Sequence, residues 1–341
     1  MSTDVPSQTR DASAGGGPGG PRRGARKAGA ESADRREVTQ GRWAYTLLTP
    51  TLILLAVVIV YPIINAIVLS FQKDAGLDKA TGFFVQGGFA GVDNYAHWIL
   101  QQCGTENCPP GTLGSQFWSA MGTTFLFTVI TVALETVLGF WMAIIMARAF
   151  KGRSLLRASV LVPWAIPTAV TAKLFFFMFA FDGIINTVFG TQILWTGSEW
   201  PARWAIIISD VWKTTPFMAL LILAGLQLIP EQVYEAAKVD GAGAWKRFTL
   251  ITLPLVKPAL MVAILFRTLD ALRMYDLPAI MTGGANNTTT LSILVVQQIR
   301  QGFNAASALS TITFLTIFLV AFIFVRFLGA NAVESTNPRK K

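Results

Sequence analysis

The sequence predicts an all-α membrane protein built on six transmembrane helices, and three observations carry that prediction. Hydrophobic residues make up 52% and charged residues only 14% of the 341-residue chain, against roughly 25% charged in a soluble globular domain. The charge is also unevenly placed, with 13 of 47 charged residues in 1–42, which leaves the body nearly depleted. Finally, six apolar segments, at 43–71, 117–146, 158–181, 204–229, 258–281 and 306–328, reach the roughly 20 residues needed to cross about 30 Å of hydrocarbon. Hydrocarbon offers no partner to a backbone N–H or C=O, so each segment is expected to satisfy itself as a helix.

In chain order, residues 1–42 come first. They are rich in Gly, Ser, Ala, Pro and Arg and contain the run Gly15-Gly16-Gly17-Pro18-Gly19-Gly20. Such a tail buries too little apolar surface to offset its ordering entropy, so it is expected to be a disordered basic tail. It does not read as a cleaved signal peptide, because the first apolar stretch begins near Trp43 and runs too long. The six-span domain is expected over 43–328, followed by a short tail at 329–341.

Lys and Arg set the orientation of the spans. Twenty of the 28 lie in the tail, the loop 147–157, the loop 230–257 and the C-terminal end. Only Lys73, Lys79, Arg203 and Arg300 lie in the alternate connections. This bias predicts that both termini and those two loops are cytoplasmic and that 72–116 is an external loop. It also accounts for the net charge of +9 as a marker of one side of a bilayer, with no nucleic acid as partner. The external loop holds Cys103 and Cys108, five positions apart. An oxidising exterior allows them to close a small disulfide, and two free thiols are the alternative.

Several chemistries are excluded by composition. One histidine, His97, and two cysteines leave too few ligands for a tetrahedral zinc site and a single candidate base for a Ser-His-Asp relay. No G-x-x-x-x-G-K-[ST] phosphate loop occurs. The chain is therefore expected to be non-catalytic, with no metal and no cofactor of its own.

The connection 230–257 carries the most specific pattern. Pro230 suits the first turn of a helix, Glu231 favours its N-terminus and Gly241 can end it in a left-handed cap. The result is a short exposed helix between the fourth and fifth spans. Ala236 and Ala237 are small enough to admit another protein's backbone, and Glu235 and Asp240 offer carboxylates to basic partners. Glu235-Ala236-Ala237, three residues, Gly241, nine residues and then Ile251-x-Leu253-Pro254 resembles the EAA loop of permease subunits of binding-protein-dependent ABC importers. Asp210-Val-Trp-Lys-Thr-Thr-Pro-Phe217, Phe266-Arg-Thr-Leu-Asp-Ala-Leu-Arg-Met-Tyr-Asp276 and Thr282-Gly-Gly284 are similar to the carbohydrate branch of that family, which includes maltose, glycerol-phosphate and actinobacterial trehalose-type permeases.

The resemblance implies a type I importer permease in the cell membrane of a prokaryote. Glu235, Ala236, Ala237, Asp240 and Gly241 would form the coupling helix, seated in a separate ATPase subunit. Implied partners are a second homologous permease, two copies of the ATPase, which hold the ATP and Mg, and an external solute-binding protein.

Charges inside the spans mark the candidate pathway, since each costs roughly 2.5–3.5 kcal/mol at mid-membrane. They are Glu135, Lys173, Asp210, Lys213, Arg267, Asp270, Arg273 and Asp276. Arg267, Asp270, Arg273 and Asp276 alternate in sign every three residues, so neighbours on a continuous helix would meet. A self-neutralising ladder without a ligand is the alternative to a pathway role. Three residues advance a helix by about 300°, so the four cannot all face one cavity. Lys213, Thr214, Thr215 and Pro216 fall at the depth of Asp270, and Pro216 is expected to interrupt its helix. Trp212 and Tyr275, with Phe217, offer aromatic faces to a sugar. The candidate pathway residues are Trp212, Lys213, Thr214, Thr215, Arg267, Asp270, Arg273, Tyr275 and Asp276, while Glu135 and Lys173 can either pair between spans or face the pathway.

The expected function is half of a translocation pathway for a sugar, such as trehalose or another α-glucoside, coupled to ATP hydrolysed on another chain. A glycerol-phosphate-type importer and an ion-coupled secondary transporter are the alternatives, the latter disfavoured because no inverted repeat relates the two halves.

Overall fold

A computed structural model describes residues 46–77, 82–104 and 106–326, and the expected tails at 1–42 and 329–341 lie outside them. The chain divides into two units, Met1–Ile63 and Ile64–Lys341. In chain order the helices are α1 (Thr46–Ser70), α2 (Asp93–Ile99), α3 (Phe117–Ala147), α4 (Arg153–Ala165), α5 (Thr168–Met178), α6 (Ile184–Phe189), α7 (Glu199–Gln227), α8 (Glu231–Val239), α9 (Ala244–Arg247), α10 (Leu253–Ala271), α11 (Asp276–Met281), α12 (Leu291–Ile299) and α13 (Phe303–Phe324). α1 begins in the first unit, and the rest of the described chain belongs to the second.

Five helical stretches among the described residues are long and apolar enough to cross a membrane, and the bent pair α4–α5 makes a sixth when taken as one span. α3 and α7 form the central pair of the second unit. They meet at Gly139, where a Cβ would lie 2.9 Å from Met218 Cβ and 3.1 Å from the backbone nitrogen of Ala219. A small residue lets the two backbones come this close, which is how spanning helices gain packing contacts without a hydrophobic driving force. Phe140, Ala143 and Met146 of α3 pack there with Met218 and Ile222 of α7 and with Val256 and Leu260 of α10. A second apolar cluster joins Phe127 of α3, Phe175 of α5, Ile206 of α7 and Leu277 of α11.

Three spans depart from the sequence expectation. The third is two helices meeting at 88°. Pro167 forces the preceding Ile166 into an extended conformation (φ −73°, ψ 132°), as the clash with a proline ring requires. Pro216, by contrast, does not interrupt α7, which runs unbroken past it. The hydroxyl of Thr215 donates to the carbonyl of Val211 at 2.6 Å, Thr214 Oγ1 lies 2.5 Å from the carbonyl of Asp210, and the surrounding packing holds the helix through the proline. The fifth span ends as a helix at Ala271 and resumes at Asp276. The sign-alternating ladder is therefore not one helical face: Arg267 and Asp270 lie on α10, Arg273 lies in the break, and Asp276 starts α11.

The segment between α1 and α3 adds three two-residue antiparallel ladders to the helical class, pairing Gln72–Lys73 with Gly88–Phe89, Gly76–Leu77 with Phe84–Val85, and Gln102–Cys103 with Glu106–Asn107. It is pinned to the start of α13. Asp74 accepts from the backbone N–H groups of Asn304 at 2.7 Å and Ala305 at 3.1 Å, satisfying two donors that the first turn of a helix leaves unpaired. Trp98 Nε1 donates to the Ala305 carbonyl at 2.9 Å.

Candidate functional site

The centre of the site is Arg267, near the end of α10 and only 1% exposed. Its guanidinium gathers three carboxylates. Nε and Nη2 donate to Glu135 of α3, the second at 3.0 Å. Nη2 also donates to Asp210 of α7, and Nη1 donates to Asp270 at 2.9 Å. Thr214 Oγ1 donates to Glu135, which ties α7 to α3 a second time. The planar five-donor fork of arginine suits this role, since a lysine ammonium cannot present parallel N–H groups to several carboxylates. One side chain thus clamps three spans at a single level.

A cavity of about 250 Å³ opens on this clamp. α7 contributes Asp210, Lys213 and Thr214, and α10 contributes Arg267 and Asp270. The break after α10 turns Arg273, Tyr275 and Asp276 to the same space, and the bend between α4 and α5 adds Trp164 and Thr168. Three cationic and three anionic side chains therefore line it. Trp164 stacks on Phe217 with ring centroids 5.9 Å apart, which fixes an aromatic face at the cavity wall.

Seven of the nine sequence-predicted pathway residues meet at this cavity: Lys213, Thr214, Arg267, Asp270, Arg273, Tyr275 and Asp276. Trp212 and Thr215 do not line it. Trp212 packs edge-on against Phe175 at 5.3 Å, and Thr215 is buried with its hydroxyl on the α7 backbone. The sequence left Glu135 and Lys173 open. Glu135 joins Arg267, while Lys173 Nζ sits 5.4 Å from the centroid of Phe176. Arg273 and Asp276 form no ion pair among the described residues. Trp164 and Thr168 were missed, although Pro167 between them was the signal that backbone direction changes there.

The segment around α8 is a separate surface. α8 ends in a Schellman motif: the N–H of Gly241 donates to the Lys238 carbonyl at 3.1 Å and that of Ala242 to the Ala237 carbonyl at 2.9 Å, with Gly241 at φ +72°. Pro230 occupies the N-cap with extended backbone and not the first helical turn. Glu235, Ala236, Asp240 and Gly241 are exposed. Ala237 is 8% exposed and turned to the body, because adjacent helical positions differ by about 100° in direction. Tyr234 and Thr252 hydroxyls, 3.1 Å apart, anchor the helix to the start of the next span.

Cys103 and Cys108 are joined as a disulfide, with Cα atoms 4.8 Å apart. His97 Nδ1 lies 3.8 and 3.9 Å from the two sulfurs and 2.7 Å from the Gln102 carbonyl, to which it donates. Sulfurs bonded to each other carry no thiolate, so this trio is not a metal-ligand set in the disulfide form.

Residues 135–333 match the family described as binding-protein-dependent transport system inner membrane component. The trehalose transport system permease protein of Mycobacterium tuberculosis is 38% identical over 298 residues, 86% of this chain and 91% of that protein. The trehalose/maltose transport system permease protein of Thermococcus litoralis is 36% identical over 295 residues, 84% and 94% of the respective chains. In fold, the chain is similar to a crystal structure of a bacterial alginate ABC transporter in complex with an alginate pentasaccharide-bound periplasmic protein. That likeness has a TM-score of 0.69 at 19% identity, over 85% of this chain and 95% of that one.

Proposed function

The chain belongs to the family of binding-protein-dependent transport system inner membrane components, a multi-pass and non-catalytic permease family, and from that premise we propose that it forms half of the pathway for an uncharged disaccharide. Trehalose is the leading candidate, with maltose and other α-glucosides next. The observation that carries the reading is the cavity on the Arg267 clamp, which brings carboxylates and hydroxyls, as partners for sugar hydroxyls, together with Trp164 and Tyr275, as faces for a sugar ring. The names of the relatives support the same class.

At about 250 Å³ the cavity falls just below the roughly 300–1,000 Å³ of enclosed ligand sites. A second homologous permease completes the enclosure. α8, with Glu235, Ala236, Asp240 and Gly241 outward, is the coupling helix against a separate ATPase, which holds the ATP and Mg. Two such ATPase subunits and an external solute-binding protein complete the importer, with both termini of this chain cytoplasmic. The balance of three cations against three carboxylates leaves no surplus positive charge for a phosphate, which favours a neutral sugar over the glycerol-phosphate alternative.

Reconstitution tests the reading. The complete importer in proteoliposomes should accumulate trehalose only with ATP and only with the ATPase subunits present. Uptake driven by an ion gradient in their absence would overturn it in favour of a secondary transporter.

A further inference from the structure

Glu135 is the one member of the clamp that does not line the cavity. It is fully buried, and both its oxygens are taken, one by Thr214 and Arg267 Nη2 and the other by Arg267 Nε. Asp210 differs. It is only 5% exposed, yet it reaches the cavity wall. One of its oxygens accepts from Arg267, and the other has no hydrogen-bond partner among the described residues. Among the described residues the buried side-chain atoms without a partner are Thr131 Oγ1, Arg157 Nε and Thr171 Oγ1, so this Asp210 oxygen is not sealed in the interior but opens on the cavity. An incoming hydroxyl group supplies the missing donor, because an ionised carboxylate only accepts.

Glu135 decides how Arg267 is presented. Its two oxygens occupy Nε and one N–H of Nη2, so the guanidinium can turn only its remaining edge to Asp210 and Asp270. With four of its five N–H groups held by carboxylates, Arg267 is not available to bind an anion. On the reading that this cavity is the sugar pathway, we infer that Asp210 is a direct acceptor of a sugar hydroxyl and that Glu135 is a positioning residue which, through Arg267, aims that acceptor and keeps Arg267 from pairing with an anionic solute.

The test is equilibrium binding to the complete permease–ATPase complex in nanodiscs, without the external binding protein, using trehalose, maltose and trehalose 6-phosphate as probes. The wild type should bind a neutral disaccharide and exclude the phosphate. D210N should weaken neutral binding by about 10- to 100-fold, the worth of a hydrogen bond to a charged group. E135Q removes one negative charge from behind the cavity and frees Arg267 Nε and one N–H of Nη2 from a carboxylate, and should raise the ratio of phosphate to neutral binding by about 10-fold. E135D, which restores the charge on a shorter arm, should restore the exclusion. A purely structural role for Glu135 would change assembly without changing that ratio.

Assembly is read by co-purification of the ATPase. If E135Q does not assemble, D210N, which leaves the Glu135–Arg267 pair in place, and E135D carry the test. Wild-type binding together with unchanged affinity in D210N and unchanged selectivity in the Glu135 variants overturns this inference alone. A wild type that neither binds nor transports any of the neutral probes overturns the sugar reading first, and this inference with it.

Discussion

α8 and the Arg267 clamp hold their shapes by opposite means. α8 is fixed by neighbours in sequence, with Pro230 at one end, the Schellman motif on Gly241 at the other and Tyr234 as its tether. Its outward residues contribute little to that conformation. The clamp is fixed by residues far apart: 132 positions separate Glu135 from Arg267, and 57 separate Asp210 from it. A locally fixed element can present a surface without risking the fold. A clamp built from buried charges ties function to stability, because any missing partner strands a charge in low dielectric.

The largest expected effect follows from that difference. R267M removes the only cation that pairs with Glu135 and Asp210 among the described residues, and breaking a buried pair from one side costs about 3–5 kcal/mol. Thermal unfolding of the purified complex should show it as loss of the folded species at ordinary temperatures. A variant with wild-type thermal stability would show that the clamp is not structural, and the contrast with α8 would collapse. Next in size is G241V. A β-branched residue at φ +72° costs roughly 1–3 kcal/mol, and here it distorts only the end of α8. The complex should insert and retain its pathway while sugar-stimulated ATP hydrolysis falls. Full stimulated activity would remove α8 from the coupling role.

The same contrast explains what was legible in the sequence. The α8 segment could be read because its signals are local: a proline, an Ala-Ala pair and a cap glycine at fixed spacing, with only the inward turn of Ala237 and the placement of Pro230 escaping. Six apolar stretches were equally plain, since span length is a property of consecutive residues. The clamp was not legible as such. Each of its charges stood out as costly in a membrane, but their pairing depends on how α3, α7 and α10 cross, and a one-dimensional rule of alternating sign pointed to a ladder along one helix. The helix break after Ala271 defeated that rule, and the bend at Pro167, which brings Trp164 to the cavity, lay at a proline outside the sequence expectation, which placed the interruption at Pro216.

Asp270 tests the border between the two regimes. It belongs to the clamp, but its side chain is 63% exposed to the cavity, so it can be solvated when its pairing is lost. D270A should therefore cost at most about 1 kcal/mol, in line with an exposed ion pair, while trehalose transport falls by roughly 10-fold with the loss of one charged hydrogen-bond acceptor. Uptake by the reconstituted importer and thermal unfolding separate the two. A loss of stability as large as that of R267M would mean that the clamp needs all three carboxylates and that the cavity-facing arm is as structural as the buried ones.

The smallest effect on stability belongs to E235K. Glu235 is exposed in the middle of α8 and its side chain has no hydrogen bond or ion pair among the described residues, so the change should stay within about 0.5 kcal/mol. Its effect on coupling should be much larger. A reversed charge on a surface that docks a partner costs several kcal/mol where it meets like charge, and the ATPase subunits should separate from the permease on size-exclusion chromatography or lose stimulation by sugar. The measurement is sharpest beside A237L, which points inward and should destabilise the permease itself by about 1–3 kcal/mol through overpacking. If E235K unfolds the complex and A237L does not, the two faces of α8 have been assigned the wrong way round.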